Sequence, residues 1–340
     1  MKAIVYTETG GPGVLRLVDD RPVPEPGRGE VRVRVRVSAV NPTDWKSRTG
    51  ATASLPAGTE LVPNQDGSGV VDAVGSDVRG LSVGQRVWLW DSAYQRADGT
   101  AQEYLVIPEH HAVPLPDGVS FDVGADLGVP ARTAHRALTV AEGGPTQLAP
   151  GALAGRTVLV AGGAGAVGNA AIQLARWAGA TVLTTVSSAA KATLADAAGA
   201  QHVINYRTDD AAEAIRDVAP RGVDIIVEVA PSRNAALDQA VIAPNGTMAV
   251  YATDGDGSVT LNIRPLMTVN ARYQFVLLYT IPAAARTHGI EAATAAVAAG
   301  AFRVGEDAGL PLHRFPLEQT AEAHAAVESN IVGKVLIDVG

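Results

Sequence analysis

The stretch at residues 157–168 constrains the fold more than any other part of this chain. It reads TVLVAGGAGAVG, an apolar run that passes directly into a glycine-rich turn, and residues 169–178 then have the composition of a helix. Gly163, Gly165 and Gly168 have the spacing G-x-G-x-x-G. Between a strand and a helix, such glycines allow a tight turn, close approach of a pyrophosphate and close packing of the two elements. The stretch therefore predicts a dinucleotide-binding turn.

The start of the predicted helix gives an electrostatic reason for the same prediction. Free backbone N–H groups at a helix N-terminus and the helix dipole both favour a negatively charged group. We therefore expect the turn to hold the phosphates of the nucleotide. Its candidate cofactor-binding residues are Gly162, Gly163, Ala164, Gly165, Ala166, Val167 and Gly168.

Around this turn, apolar strands alternate with alanine-rich helices. Predicted strands lie at residues 157–161, 181–186, 202–205, 224–229, 247–251 and 273–279, and predicted helices at 169–178, 189–198, 211–218 and 234–242. This alternation is typical of an α/β fold with a doubly wound parallel sheet. The first part of the chain instead indicates β-structure, since residues 31–37 alternate valine with arginine. We interpret that arginine row as a solvated strand face.

Composition limits the classes of function. A chain of 340 residues favours two domains, and its net charge of −8 disfavours binding to nucleic acid or an anionic membrane. The chain has no cysteine, which excludes disulfides, thiolate catalysis and zinc sites with sulfur ligands. Because no apolar run is long enough to span a bilayer and the first residues lack the apolar core of a signal peptide, we expect a cytoplasmic enzyme.

The segment after the second predicted strand bears on the choice of cofactor. NAD-preferring sites usually carry an acidic residue there, which binds the ribose 2′-hydroxyl. Here residues 182–191 read VLTTVSSAAK, without an acidic residue. Small hydroxyls and a lysine suit a 2′-phosphate instead. The segment therefore favours NADPH over NADH, with Ser187, Ser188 and Lys191 as candidate contacts, although a solvated helix position is the alternative for Lys191.

Several further segments, in this order and spacing, resemble the medium-chain dehydrogenase/reductase superfamily, and within it the zinc-free quinone oxidoreductase (zeta-crystallin-like) branch. The resemblance spans nearly the whole chain. It rests on MKAI at 1–4, VNPTD at 40–44, QDGSGVV at 65–71, GQRV at 84–87, AQEY at 101–104, LGVP at 127–130, VINYR at 203–207 and GKV at 333–335.

The resemblance implies an architecture. A GroES-like, β-rich catalytic domain would comprise residues 1–126 and 281–340, and a Rossmann NADPH-binding domain would comprise residues 127–280, with the active cleft at their junction. Members of the family pair through the edge strand of the nucleotide sheet. We therefore expect a homodimer paired through the predicted strand at residues 273–279.

The resemblance also bears on zinc. Zinc-dependent relatives have a cysteine where this chain has Asn41, and a histidine where it has Gln65. Neither replacement ligates zinc well in such sites, so we expect no metal. The developing charge on the substrate oxygen would then be stabilised by hydrogen bonds.

For the catalytic residues, the resemblance points to Asn41, Asp44 and Thr133. The Asn41 amide would donate to a quinone or enone carbonyl, and Asp44 would orient its neighbours. A loop cap beside Pro42 is the alternative for Asp44, and a simple helix position is the alternative for Thr133. No general acid is evident, which suits quinone reduction because water can protonate the reduced oxyanion.

The resemblance adds candidates on the cofactor side. Tyr206 and Lys191 match family positions near the adenosine 2′-phosphate, and Tyr251 ends another predicted strand of the sheet. Asn330 and Lys334 lie in the tail segment that returns toward the cofactor, although Lys334 could equally be a surface charge.

Three functions stay open. The first is an NADPH:quinone oxidoreductase, with one- or two-electron transfer unresolved. The second is an NADPH-dependent enone or alkenal reductase, and the third is a crystallin-like binding or structural protein that retains NADPH. Residues 51–53 read ATA where many family members have a tyrosine facing the substrate, which indicates an altered substrate wall.

Overall fold

The computed structural model describes residues 1–51, 56 and 58–340. These form two compact units, one of residues 1–129 with 311–340 and one of residues 130–310. Residues 281–310, which the sequence analysis assigned to the catalytic domain, therefore belong to the second unit. The physical reason is a helix at Ala283–Ala298 that packs against another helix of that unit at Arg132–Leu138.

In chain order, the elements of residues 1–129 are β1 Ala3–Val5, β2 Arg16–Val18, β3 Glu30–Val40, α1 Pro42–Arg48, β4 Asp66–Val74, β5 Arg86–Leu89, β6 Tyr104–Pro108, β7 Ala112–Pro114 and α2 Phe121–Gly124. The second unit has α3 Arg132–Leu138, β8 Thr157–Ala161, α4 Ala166–Trp177, β9 Thr181–Val186, α5 Ala189–Ala197, β10 His202–Asn205, α6 Ala211–Val218, β11 Val223–Glu228, α7 Pro231–Val241, β12 Ile242–Val250, α8 Ile263–Thr268, β13 Arg272–Phe275 and α9 Ala283–Ala298. The chain ends with β14 Leu312–Pro316, α10 Thr320–Glu328 and β15 Lys334–Asp338.

The first unit is built on a sheet in the order β14-β15-β3-β4-β5-β7, with β6 also paired to β3. Val31, Val33 and Val35 are fully buried on one face of β3, as the alternation predicts. On the other face Arg32 pairs with Asp72 and Glu25. The arginine row is thus a polar strand face, as interpreted from the sequence.

The second unit contains a parallel sheet in the order β10-β9-β8-β11-β12-β13. This order confirms the predicted doubly wound fold. The strand order reverses at β8, and ligands of such sheets bind at that switch point. The glycine turn directly follows β8 and therefore lies at this point.

Several element boundaries differ from the prediction. Strand β12 begins at Ile242, five residues before its predicted start, and helix α7 begins at Pro231, three residues before its predicted start. Helix α4 begins at Ala166, three residues before the predicted start, because the last glycine of the motif is part of the helix and packs against the turn. Strand β13 ends at Phe275, and a 3₁₀ turn at Leu278–Thr280 follows where the sequence predicted continued strand. Among the described residues, no helix combines the length and apolar character needed to cross a membrane.

Candidate cofactor turn and active site

The glycine turn has the shape that the sequence predicts. A Cβ on Gly163 would lie 2.2 Å from Thr184 Oγ1, and a Cβ on Gly168 would lie 2.4 Å from the carbonyl oxygen of Gly162. At Gly165, by contrast, the nearest atom to an added Cβ is 3.5 Å away. Two glycines are thus needed for packing, whereas the middle one keeps the surface beside the turn free of a side chain.

The open surface lies at the beginning of α4. Gly165 is the N-cap of this helix, and the first N–H groups of a helix lack acceptors within it. These donors and the helix dipole favour a phosphate group at this place. The turn therefore fits the pyrophosphate of a dinucleotide.

The segment after β9 contains the residues predicted to contact a 2′-phosphate. Ser188 Oγ accepts the backbone N–H of Lys191 at 3.3 Å and so caps α5. Lys191 itself is partly buried in the first turn of that helix, and Ser187 is also partly buried. Tyr206 is 52% exposed, and its N–H donates to Val186 O at 3.1 Å. Tyr206 therefore lies beside the end of β9, which the two serines directly follow in the sequence.

A cavity of about 500 Å³ opens in the second unit beside this segment. Its wall combines the end of β9, Tyr206, the start of α6 and residues along most of α7. The lining residues are Thr185, Tyr206, Asp209, Asp210, Ala211, Ala212, Arg233, Asn234, Ala236, Leu237 and Ala240. Sequence reasoning missed Arg233, and a basic residue in the first turn of the helix after β11 was the available signal. Tyr251 is not part of this wall; its N–H donates to Glu228 O at 3.1 Å.

The first unit contains a buried polar cluster. Five residues from separate parts of the chain meet there, and each is at most 3% exposed: Asn41, Asp44, Asp66, Asp126 and Lys334. Asn41 and Asp44 lie at the start of α1, Asp66 begins β4, Asp126 follows α2, and Lys334 begins β15. We call this set the Asn41 cluster.

Asp44 acts as a cap within this cluster. Its carboxylate accepts the N–H of Asn41 at 2.7 Å and the N–H of Gln65 at 3.0 Å. The capping alternative for Asp44 is thus present, and the same two bonds fix the backbone on both sides of the cluster. Burial raises the pKa of Asp44 to about 8, although both N–H bonds and Lys334 lower it.

The side chain of Asn41 is held from two directions. Its Nδ2 donates to Asp66 Oδ2 at 2.8 Å, and its Oδ1 accepts from Lys334 Nζ at 2.7 Å. Lys334 Nζ also lies 3.4 Å from Asp126 Oδ1. Lys334 is therefore not the surface charge that the sequence left open, since it is buried and bonded within the first unit.

The charge balance of the cluster is unequal, with three carboxyl groups and one ammonium group. Burial raises the pKa of Asp66 to about 6 and that of Asp126 to about 7, while Lys334 lowers both. Asp66 Oδ2 also accepts the N–H of Val129 at 2.8 Å. The cluster thus holds protons on carboxyl groups at a pH where exposed aspartates are ionised.

The remaining predicted residues lie elsewhere. Thr133 is 6% exposed in α3 of the second unit. Asn330 is exposed after α10, with a φ of 61°, and its N–H donates to Val327 O at 3.0 Å. Asn330 therefore ends a helix and does not join the Asn41 cluster. Thr52 and Ala53, from the altered substrate wall, lie outside the described residues.

Sequence reasoning did not select Asp66 and Asp126 as site residues. Asp66 stands at the head of an apolar strand, which is a usable signal of a buried carboxyl group. Asp126 lies between two apolar residues, Ala125 and Leu127, which is a weaker signal of a buried carboxyl group.

The residues present do not fit a zinc ion. Gln65 Oε1 accepts the N–H of Ala93 at 3.1 Å, and Asn41 Oδ1 faces the lysine ammonium. In the part of the chain that the structure describes, no group of three or more His, Cys, Asp or Glu side chains is arranged to hold a metal. No catalytic step is therefore derived through zinc.

Known proteins similar to this chain include quinone oxidoreductases and an alcohol dehydrogenase. Family models for the alcohol dehydrogenase GroES-like domain and for zinc-binding dehydrogenases match residues 27–117 and 166–304. A quinone oxidoreductase of Lama guanicoe is 31% identical, over 99% of this chain and 97% of that protein. Among solved structures, an NAD-dependent alcohol dehydrogenase has a TM-score of 0.85 and 30% identity over 100% of both chains. The quinone oxidoreductase of Escherichia coli, complexed with NADPH, has a TM-score of 0.80 and 25% identity over 99% of this chain and 100% of that chain.

Proposed function

Because this chain belongs to the medium-chain dehydrogenase/reductase superfamily, in its quinone oxidoreductase branch, we propose that it is an NADPH-dependent, zinc-independent quinone oxidoreductase. The observation that carries the proposal is the fixed orientation of the Asn41 amide. Its Nδ2 donates a hydrogen bond to Asp66, and its Oδ1 accepts one from Lys334. An amide held in this way is a fixed hydrogen-bond donor, which is what a quinone oxygen needs when it gains negative charge.

When bound, NADPH supplies the hydride. The residues of the glycine turn would hold its pyrophosphate, and Ser187, Lys191 and Tyr206 would contact the 2′-phosphate. The cavity beside Tyr206, with Arg233 at its wall, would take the adenine. The absence of an acidic residue in the segment after β9 supports NADPH, as does the NADPH complex of the Escherichia coli relative.

On the side of the electron acceptor, one N–H of the Asn41 side-chain amide donates a hydrogen bond to Asp66. The second would donate to the substrate oxygen, with Asp44 fixing the backbone of Asn41 and Gln65. Placed donors of this kind stabilise a developing oxyanion without reorganisation during the reaction. Water then protonates the reduced quinone, so that the site needs no general acid.

We also propose a homodimer paired through β13. This strand is one edge of the parallel sheet. Phe275 at its end is 68% exposed, and Leu277 just after it is 59% exposed. An open apolar strand edge favours pairing with another chain.

The proposal is tested by NADPH oxidation with a panel of quinones and 2-alkenals, with NADH in parallel. We expect turnover with quinones and preference for NADPH. Turnover with 2-alkenals alone would instead indicate an enone reductase, and tight NADPH binding without turnover a binding or structural protein. Cytochrome c reduction coupled to the quinone distinguishes one-electron from two-electron transfer.

Lys191→Ala tests the cofactor side separately. Loss of a charge-assisted hydrogen bond should weaken NADPH binding about tenfold and leave NADH binding unchanged. Fluorescence titration measures both affinities. Lys2→Ala is the matched control, because Lys2 lies in an exposed ion pair with Glu318. An unchanged ratio of the two affinities in Lys191→Ala would remove Lys191 from the 2′-phosphate site.

A further inference from the structure

Lys334 is a buried lysine whose position is set by the register of the sheet. Strand β15 runs antiparallel to β3 with Val335 opposite Val40, so Lys334 is opposite Asn41. The preceding Gly333 has a φ of 116°, and a Cβ there would lie 2.3 Å from Pro311 O. The backbone that leads into Lys334 therefore requires glycine, and it directs the lysine into the Asn41 cluster.

The chemistry of the two contacts of Asn41 fixes which way its amide points. An ammonium group only donates hydrogen bonds, so Lys334 Nζ must face Oδ1, and the carboxylate of Asp66 must face Nδ2. If the amide were rotated by 180°, a donor would face the ammonium and an acceptor would face the carboxylate. Both short bonds, of 2.7 Å and 2.8 Å, would then be lost.

We infer that Lys334 is a positioning residue for the proposed reaction: it locks the Asn41 amide so that N–H, and not oxygen, faces the acceptor. This inference rests on the proposed function and differs from the cofactor-binding role that the family resemblance implies for Lys334. The lysine acts through Asn41, because its two close polar partners are Asn41 and Asp126.

The charges that face Lys334 complicate a simple test. They are Asp126 at 3.4 Å, Asp66 at the start of β4 and Asp44 in α1, both within its electrostatic reach. Removal of the ammonium alone leaves these buried carboxyl groups without a cation, which destabilises a fold whatever the role of the lysine. The test therefore needs a variant from which one carboxylate is removed as well.

The experiment compares Lys334→Met, Asp126→Asn and the double variant Lys334→Met/Asp126→Asn, with Lys2→Met as the matched surface control. Urea unfolding, NADPH affinity by fluorescence, and kcat and KM for the best quinone are measured for each. We expect the double variant to recover most of the urea midpoint that Lys334→Met loses. Its NADPH affinity should be unchanged, while its kcat stays about 100-fold below wild type, the typical effect of losing one oxyanion donor.

A signal from Asn41 itself tests the lock independently of turnover. The side-chain amide resonances, assigned with Asn41→Ala, should be distinct in wild type and should shift or broaden in the double variant. If the Asn41 resonances change in this way in a protein that reduces no quinone, the fixed orientation of the Asn41 amide is supported and the proposed function is refuted. The inference is overturned if the Asn41 resonances are unchanged, if kcat recovers together with stability, or if NADPH affinity falls while kcat at saturating NADPH is that of wild type.

Discussion

Asn41 has two roles that depend on different parts of the residue. Its backbone caps α1 together with Asp44, and its side chain lies between Asp66 and Lys334. In zinc-dependent relatives this position carries a metal ligand, as the family resemblance implies. Here an amide occupies it, and in the proposed reaction its hydrogen bond would stabilise charge on the substrate oxygen.

Asn41→Ala removes the donor and leaves Lys334 without its short bond. We expect kcat with quinone to fall about 100-fold and the free energy of unfolding to fall by about 1–3 kcal/mol, because a buried partner becomes unsatisfied. NADPH affinity should not change. Steady-state kinetics and urea unfolding measure these effects, with the exposed Asn262→Ala as control. A wild-type kcat in Asn41→Ala would exclude the amide from the reaction.

At the scale of elements, strands place the polar groups and turns shape the binding surfaces. The register of β15 on β3 brings Lys334 to Asn41, and the reversal of strand order at β8 opens the surface at the start of α4. Both effects follow from strand pairing rather than from the residues of the site themselves.

The middle and last glycines of the motif should respond differently to the same substitution. In Gly168→Ala the new Cβ would lie 2.4 Å from a backbone oxygen, whereas in Gly165→Ala the nearest atom is 3.5 Å away. We expect Gly168→Ala to lose about 1–3 kcal/mol of stability through overpacking. Gly165→Ala should keep wild-type stability but bind NADPH more weakly, because the methyl group occupies the place of the pyrophosphate. Thermal unfolding and fluorescence titration of the pair test this, and equal NADPH affinities in wild type and Gly165→Ala would contradict it.

The edge strand β13 is the element on which the proposed dimer depends. Phe275→Lys places a charge on this edge and should convert the dimer to a monomer. Light scattering coupled to size-exclusion chromatography measures the mass. Val83→Lys is the control, because Val83 is 62% exposed and belongs to the first unit, whereas β13 belongs to the second. A dimeric Phe275→Lys protein would place the interface elsewhere.

At the scale of the whole molecule, the chain forms its first unit from both ends and its second from the middle. This division explains why residues 1–129 alone lack part of the polar cluster, since Lys334 comes from the C-terminal segment. It also corrects the predicted boundary at residue 281, because α9 packs against α3 of the second unit. No local pattern in the sequence shows that contact.

Stability should depend on pH through Asp126. Burial raises its pKa from 3.8 to about 7, so the folded state keeps a proton that the unfolded chain releases. The stability contributed by this group is fully present below about pH 4 and is lost as pH rises through about 7. Asp126→Asn has no titrating group at this position. Its free energy of unfolding relative to wild type should therefore rise as the pH increases from about 4 to about 8. Urea midpoints across this range measure the trend, with the exposed Asp196→Asn as the control.

The sequence by itself determined the α/β class, the two domains, the glycine turn and its cofactor class, because periodicity, glycine spacing and missing residue types are local properties of the chain. Tertiary structure alone decided that Lys334 is buried against Asn41, that Asp66 and Asp126 join them, and that Asn330 ends a helix. Asn41 and Lys334 bond across 293 positions of the chain, and no local pattern encodes such a meeting. Their contact depends on strand register and on the packing of α2, β4 and β15, which only the folded chain fixes.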